Sequence, residues 1–169
     1  RRKATRLPWG AYAQAQHCIL AAGMAYCQAK GEADAVCVRM VVDGTAWGCL
    51  SDDMDMLAYG CPRVLRALSL AHGTVDVYDL STVLGTLGVG ARSFQLVCAL
   101  IRNDYNDAPT SRTLSELMRS AAALDDPGRL LQEFPERTQT GAAKALEQFG
   151  APAHTCLLYT SDAADERNS

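Results

Sequence analysis

Apolar positions recur along this chain at helical spacing in some stretches and as short unbroken runs in others. Tyr12, Ala15, Ile19 and Ala22 stand three or four apart, so residues 11–22 predict an amphipathic helix that stops near Gly23. Met24 to Cys27 and Ala46 to Leu50 are short apolar runs that predict buried strands. Between them Ala33 to Val42 is apolar nearly all round, as a helix packed on a sheet would be, with Gly44 to stop it. Val64 to Leu68 and Val75 to Tyr78 predict two more strands, linked around Gly73. Phe94, Val97, Cys98 and Ile101 then sit at i, i+3, i+4 and i+7, the clearest helix of the sequence. Leu114, Leu117, Met118 and Ala121 repeat that spacing, as do Ala142, Ala145, Leu146 and Phe149. Strands alternating with helices predict an α/β fold with a mainly parallel, Rossmann-like sheet and flanking helices. From Leu114 onward only helical signals remain.

Composition adds limits. At 169 residues, with 49% hydrophobic and 21% charged residues, the chain is a single globular domain by length, and disorder is excluded. Charge interrupts every apolar stretch, so no membrane span is expected. The opening residues Arg1, Arg2 and Lys3 lead into no apolar signal region, and the chain starts without Met, which suggests a fragment. The net charge of −3 excludes a strongly basic nucleic-acid module but not an enzyme that meets phosphates through metal ions. Seven cysteines form no C-x-x-C pair, which sets a zinc site aside and points to free thiols in a reducing, intracellular setting. Residues 156–166 read CLLYTSDAADE, which resembles the translation of a sequencing-library adaptor. Residues 156–169 are therefore expected to be a non-native tail that packs against nothing.

The acids cluster where strands end. Glu32 and Asp34 follow the first predicted strand, Asp52, Asp53 and Asp55 follow the second, and Asp104 follows the helix at 94–101. In doubly wound sheets ligands bind beyond the carboxyl ends of the strands, so the first two groups are expected at one rim. Residues two apart on a helix diverge by about 200°, so Glu32 is expected in the turn and Asp34 in the first helical turn. On an extended segment Asp53 and Asp55 would share a face, with Asp52 opposed and suited to cap a helix. Crowded carboxylates repel one another, and a hard divalent ion such as Mg²⁺ relieves that repulsion. Helix capping on a solvated rim accounts for each acid taken singly.

The order of these blocks carries a resemblance. Lys30-Gly-Glu-Ala-Asp-Ala35, Leu50-Ser-Asp-Asp-Met-Asp-Met-Leu-Ala-Tyr-Gly60 and Asn103-Asp-Tyr105 resemble, in sequence order, the internal-domain motifs of the flap endonuclease/XPG nuclease family. The segments Tyr78–Leu84, Leu87–Val89 and Phe94–Cys98 are similar to that family's linking region. Asp53-Met54-Asp55 also resembles the D-x-D of haloacid-dehalogenase-type phosphatases, but Leu57 stands where that pattern has Thr or Val.

The flap endonuclease resemblance implies a PIN-like nuclease core at 11–105. It implies that Glu32, Asp34, Asp53, Asp55 and Asp104 ligate two Mg²⁺ ions, for which Mn²⁺ substitutes. Asp34 stands where the family has Glu, and Arg102 and Asn103 where it has Gly and a small residue. Two further Asp ligands and the phosphate-steering Lys and Arg of the family come from a region outside this sequence, so the fragment alone is expected to be inactive. Residues 1–10 are read as a basic arm or cut linker. Residues 106–155 are read as a helical region containing a degenerate helix–two-turn–helix, with Gly141 and Lys144 as weak candidates for nucleic-acid contact; an ordinary amphipathic helix explains the same residues. The implied activity is metal-dependent endo- or exonuclease hydrolysis of DNA phosphodiesters at junctions of single and double strands. RNA is not distinguished from DNA, and a non-catalytic relative that keeps the fold for binding is the alternative. The implied location is intracellular, and nuclear in a eukaryote.

Overall fold

The computed structural model describes residues 8–124 and 126–150, together with the backbone of 157–159. The chain divides into two compact units, Arg1–Ala33 with His154–Ser169, and Asp34–Ala153. In the first, α1 (Ala11–Ala21) ends as the sequence predicts: Gly23, at φ 72°, donates to the Leu20 carbonyl, and Met24 donates to that of Ile19. No residue of α1 is buried, so its expected apolar face is left uncovered within this unit. Strand β1 (Tyr26–Gln28) pairs antiparallel with β5 (Leu157–Tyr159). That ladder corrects the expectation that the tail packs against nothing. Cys27 is disulfide-bonded, against the reading of every cysteine as a free thiol, whereas Cys18, Cys37, Cys49, Cys61 and Cys98 are free. The basic arm at 1–7 lies outside the described residues.

The second unit starts with α2 (Ala33–Val42), which buries Val36, Val38 and Val41. The strand expected at 46–50 is reduced to β2 (Cys49–Leu50), and the helix α3 (Asp55–Ala58) follows it. Next come β3 (Arg63–Ser69) and β4 (Thr74–Asp79). β2 and β3 are parallel, as a helix-containing crossover allows. β3 and β4 are antiparallel, because the short connection around Gly73 is too tight for a parallel crossover. The α/β class therefore holds, while the sheet is a small mixed one, not mainly parallel. Its irregular point lies past Arg66, where Ala67 adopts a left-handed φ of 50° and donates its N–H to Asp52 at 3.0 Å.

Helices make up the remainder: α4 (Leu80–Leu87), α5 (Ala91–Leu100), α6 (Leu114–Ala123), α7 (Pro127–Gln132) and α8 (Glu136–Phe149). The apolar spacing predicts α5, α6 and the second half of α8; α4 and α7 announce themselves only through their caps. Asp79 caps α4 at the Thr82 N–H, and Asp126 caps α7 at Gly128 with Pro127 in the first turn. A reciprocal Thr113–Glu116 capping box opens α6. α5 lies at the centre, burying Phe94, Leu96, Val97 and Leu100 against Leu117 of α6, Leu130 of α7 and Ala142, Ala145 and Phe149 of α8. Among the described residues no single helix is long and apolar enough to cross a membrane.

Gly141 shows how closely α8 approaches the loop after α5. A Cβ there would stand 2.1 Å from Asn106 Oδ1. Overpacking of this kind costs about 1–3 kcal/mol, which outweighs the gain of up to about 1 kcal/mol that Ala brings to a helix. Gly141→Ala is therefore expected to lower the urea midpoint. Gly85→Ala in α4, where a Cβ meets nothing within 4 Å, is expected to raise it. Equal effects of the two substitutions would contradict the packing.

Candidate active site

The acids of the second unit are placed by three local devices. α2 carries Asp34 in its first turn, and Glu32 immediately precedes that helix, as the helical period requires. Glu32 belongs to the first unit and is exposed. At the second block the chain is not extended. Ser51 Oγ accepts from the Asp53 N–H at 3.1 Å, and Asp53 Oδ1 accepts from the Asp55 N–H at 2.9 Å. Asp53 thus turns the chain into α3, and Asp55 becomes its first residue. The cap expected of Asp52 is not made: no side chain caps α3, and Asp52 holds the β3 bulge instead.

The third device fixes Asp104. The amide nitrogen of Asn103 donates to the carbonyls of Cys98, Ala99 and Ile101, at 3.0, 3.3 and 3.1 Å. Its oxygen accepts from the N–H groups of Tyr105 and Asn106, both at 2.9 Å. Asn106, buried, donates to the Ala99 carbonyl at 2.7 Å and accepts from the Ala108 N–H at 2.8 Å. Both asparagines thus lash the Asp104 loop to the end of α5. A second tie joins two motif blocks: the Tyr59 and Tyr105 hydroxyls meet at 2.8 Å, and both rings stand edge-on to Phe149 of α8, at 5.2 and 5.9 Å. Sequence reasoning passed over Asn106 and the Phe149 contact. The signal for the asparagines is the run Asn103-Asp-Tyr-Asn106 itself, since Asn side chains bond backbone two or three residues on.

Asp55 registers the result. Its carboxyl is pushed above the ordinary value of 3.8, first by burial and then by the charges of Asp53, Asp104 and Asp34. Four carboxylates from the three blocks therefore share one electrostatic neighbourhood. Cys98 lies within reach of the same field: burial first, and then Asp55, push its thiol up to about 12, so it stays protonated and inert. A cavity of about 430 Å³ opens beside Asp55, its wall formed by Phe94, Ile101 and Met118 among others. Among the described residues no three His, Cys, Asp or Glu side chains stand close enough to hold a metal ion. The acids lie within electrostatic range of one another but not at ligand distance.

The weak candidates on α8 take other roles. Gly141 lies six residues into the helix and is buried against Asn106, so its N–H is not at a helix start where it could meet a phosphate. Lys144 stands 3.5 Å from Asp107. Trp47 is 63% exposed and lies under the Arg63 guanidinium, which donates to the Trp47 carbonyl at 2.6 Å.

Comparison with known proteins finds likeness in both sequence and fold. Residues 23–104 match the family model described as XPG I-region. Over 95 residues the chain is 30% identical to flap endonuclease 1 of Homo sapiens, a stretch that covers 54% of this chain and 25% of that protein. Flap endonuclease-1 from Methanococcus jannaschii shares the fold at a TM-score of 0.71 and 23% identity, over 91% of this chain and 48% of that one. The catalytic core of Rad2 in complex with DNA substrate gives 0.71 at 15% identity, over 98% of this chain and 64% of that one. The fold is thus the PIN-like one of these nucleases, and the match spans about a quarter of the human relative.

The raised Asp55 carboxyl sets a pH dependence. A carboxyl whose folded pKa exceeds 3.8 binds its proton more tightly when folded, so stability falls as pH rises from 3.8 through the raised value. In metal-free buffer Asp55→Asn is expected to raise the melting temperature at pH 7. The gain should shrink as pH falls through the raised pKa and vanish below 3.8. A loss of stability at pH 7 would contradict the crowding.

Proposed function

We propose that this chain, whose residues 23–104 match the XPG I-region family model, is a member of that family and carries the carboxylate part of a divalent-metal-dependent nuclease site that hydrolyses phosphodiester bonds in DNA at single-strand/double-strand junctions. The observation that carries this reading is the convergence of Asp34, Asp53 and Asp104 on Asp55. Negative charge so crowded favours a cation over retained protons. Support for DNA as substrate comes from the relatives, which are flap endonucleases and a Rad2 core in complex with DNA substrate.

In this reading Asp34, Asp53, Asp55 and Asp104 hold Mg²⁺ or Mn²⁺. When bound, such ions neutralise phosphate charge and activate water for in-line attack. The chain's own residues do the positioning. Asn103 and Asn106 hold the backbone on either side of Asp104, and the Tyr59–Tyr105 bond fixes the end of α3 against that loop. Asp53 keeps one oxygen on the Asp55 N–H, which leaves its second oxygen for an ion. Among the described residues the acids stand beyond ligand distance of one another, so to hold an ion together they would have to move inward. Residues outside the matched quarter of the relatives complete the site, so the isolated chain binds metal weakly and cleaves little or nothing. Nothing in these side chains reads the sugar, so RNA remains a second substrate class. The turn that Asp53 makes before α3 also suits a relative that binds nucleic acid without cutting it, and metal affinity separates the two.

Calorimetric titration with Mn²⁺ tests the reading. Asp55→Ala is expected to weaken binding by roughly tenfold or more, because it removes the acid on which the others converge. Unchanged affinity in Asp53→Ala/Asp55→Ala would overturn the site. Efficient cutting of a labelled flap DNA by the chain as it stands would overturn the claim that the site is incomplete.

A further inference from the structure

A cavity of about 640 Å³ lies beside Asp104, lined by Arg102, Asn103, Asp104, Asn106, Asp107 and Pro109. Arg102 is its one cation. Four other basic groups of this unit have partners: Arg39 pairs with Asp43, Arg112 with Glu133, Lys144 with Asp107, and Arg63 with the Trp47 carbonyl. Arg102 takes part in none of the ion pairs among the described residues, and it is exposed. It follows directly on Ile101, the C-cap of α5, so its charge lies at the negative end of that helix. The backbone on its far side is held by Asn103, which limits how far the guanidinium can stray from Asp104.

We propose that Arg102 is a positioning residue that grips a backbone phosphate of the nucleic acid adjoining the Asp104 carboxylate. This role rests on the nuclease reading above. A polyanion approaching four carboxylates on a chain of net charge −3 meets repulsion, and a cation at the lip of the cluster offsets it where the phosphate must come closest. A guanidinium suits the task because its planar fork takes two phosphate oxygens at once, and it stays charged at any working pH. Two residues of chain separate Arg102 from Asp104 by at most about 7 Å of backbone, so the gripped phosphate lies next to the one the acids address.

The test is binding of a fluorescein-labelled 5′-flap DNA by the 169-residue chain, followed by anisotropy between 25 and 200 mM salt without divalent ions. Arg102→Ala is expected to weaken binding roughly tenfold at low salt and to reduce the slope of log K against log salt by about 0.9, the share of one phosphate contact. Arg102→Lys should recover the slope and only part of the affinity, since it keeps the charge and loses the fork. The melting temperature should be the same in all three. Wild-type binding with an unchanged slope in Arg102→Ala would overturn the role of Arg102 and leave the nuclease reading standing. Absence of binding by the wild-type chain would likewise overturn the role of Arg102, while the nuclease reading stands or falls by the Mn²⁺ titration.

Discussion

The last turn of α5 leaves carbonyl groups with no partner in the helix, and their satisfaction decides where Asp104 lies. Val97 accepts from the Ile101 N–H, Leu100 from the Thr110 N–H, and the carbonyls of Cys98, Ala99 and Ile101 take the Asn103 amide. Asn106 supplies a second donor to Ala99 and, with its oxygen, a partner for Ala108. Because α5 is buried among α6, α7 and α8, leaving these groups unpaired would be expensive, about 1–3 kcal/mol for each. Glycine at 141 follows from the same arrangement, since any side chain there would push Asn106 off the Ala99 carbonyl. The Asp104 loop is thus anchored by the core itself.

Against that anchor the other acids are brought up by elements with little freedom. Asp55 opens a helix whose Met56, Leu57 and Ala58 are buried, so its carboxyl cannot move away from its neighbours without disturbing the core. Burial and neighbouring charge both oppose its ionisation, which makes the cluster unfavourable for the metal-free chain. In the reading proposed above a cation would relieve that cost, which the packing of α3 and α5 meets in its absence.

Much of this was legible in the sequence, for physical reasons that differ by element. The period of 3.6 gives α1, α5 and α6 because each has regular apolar spacing, the nearly all-round apolar stretch gives α2, and the acid blocks follow by their position after the two short apolar runs and α5. The turn at Glu32 and the first-turn place of Asp34 come from the helical period alone. The four-residue α3 was hidden, because its apolar run Met56-Leu-Ala58 is too short to show a period, and only the Ser51–Asp53–Asp55 bonds reveal it. The direction of β4 was readable from its short link to β3, yet apolar runs by themselves carry no direction. The Tyr59–Tyr105–Phe149 cluster joins residues up to 90 positions apart, which no local pattern encodes.

The central claim is that Asp34, Asp53 and Asp104 crowd Asp55, and the titration of Asp55 followed by carbon-13 NMR of its carboxyl in metal-free buffer tests it most directly. The account predicts a pKa above 3.8 that falls toward that value in Asp104→Asn and again in Asp34→Asn, while Glu133→Gln, whose partner is Arg112, leaves it unmoved. An Asp55 that titrates at 3.8 and does not respond to loss of either neighbour would contradict it.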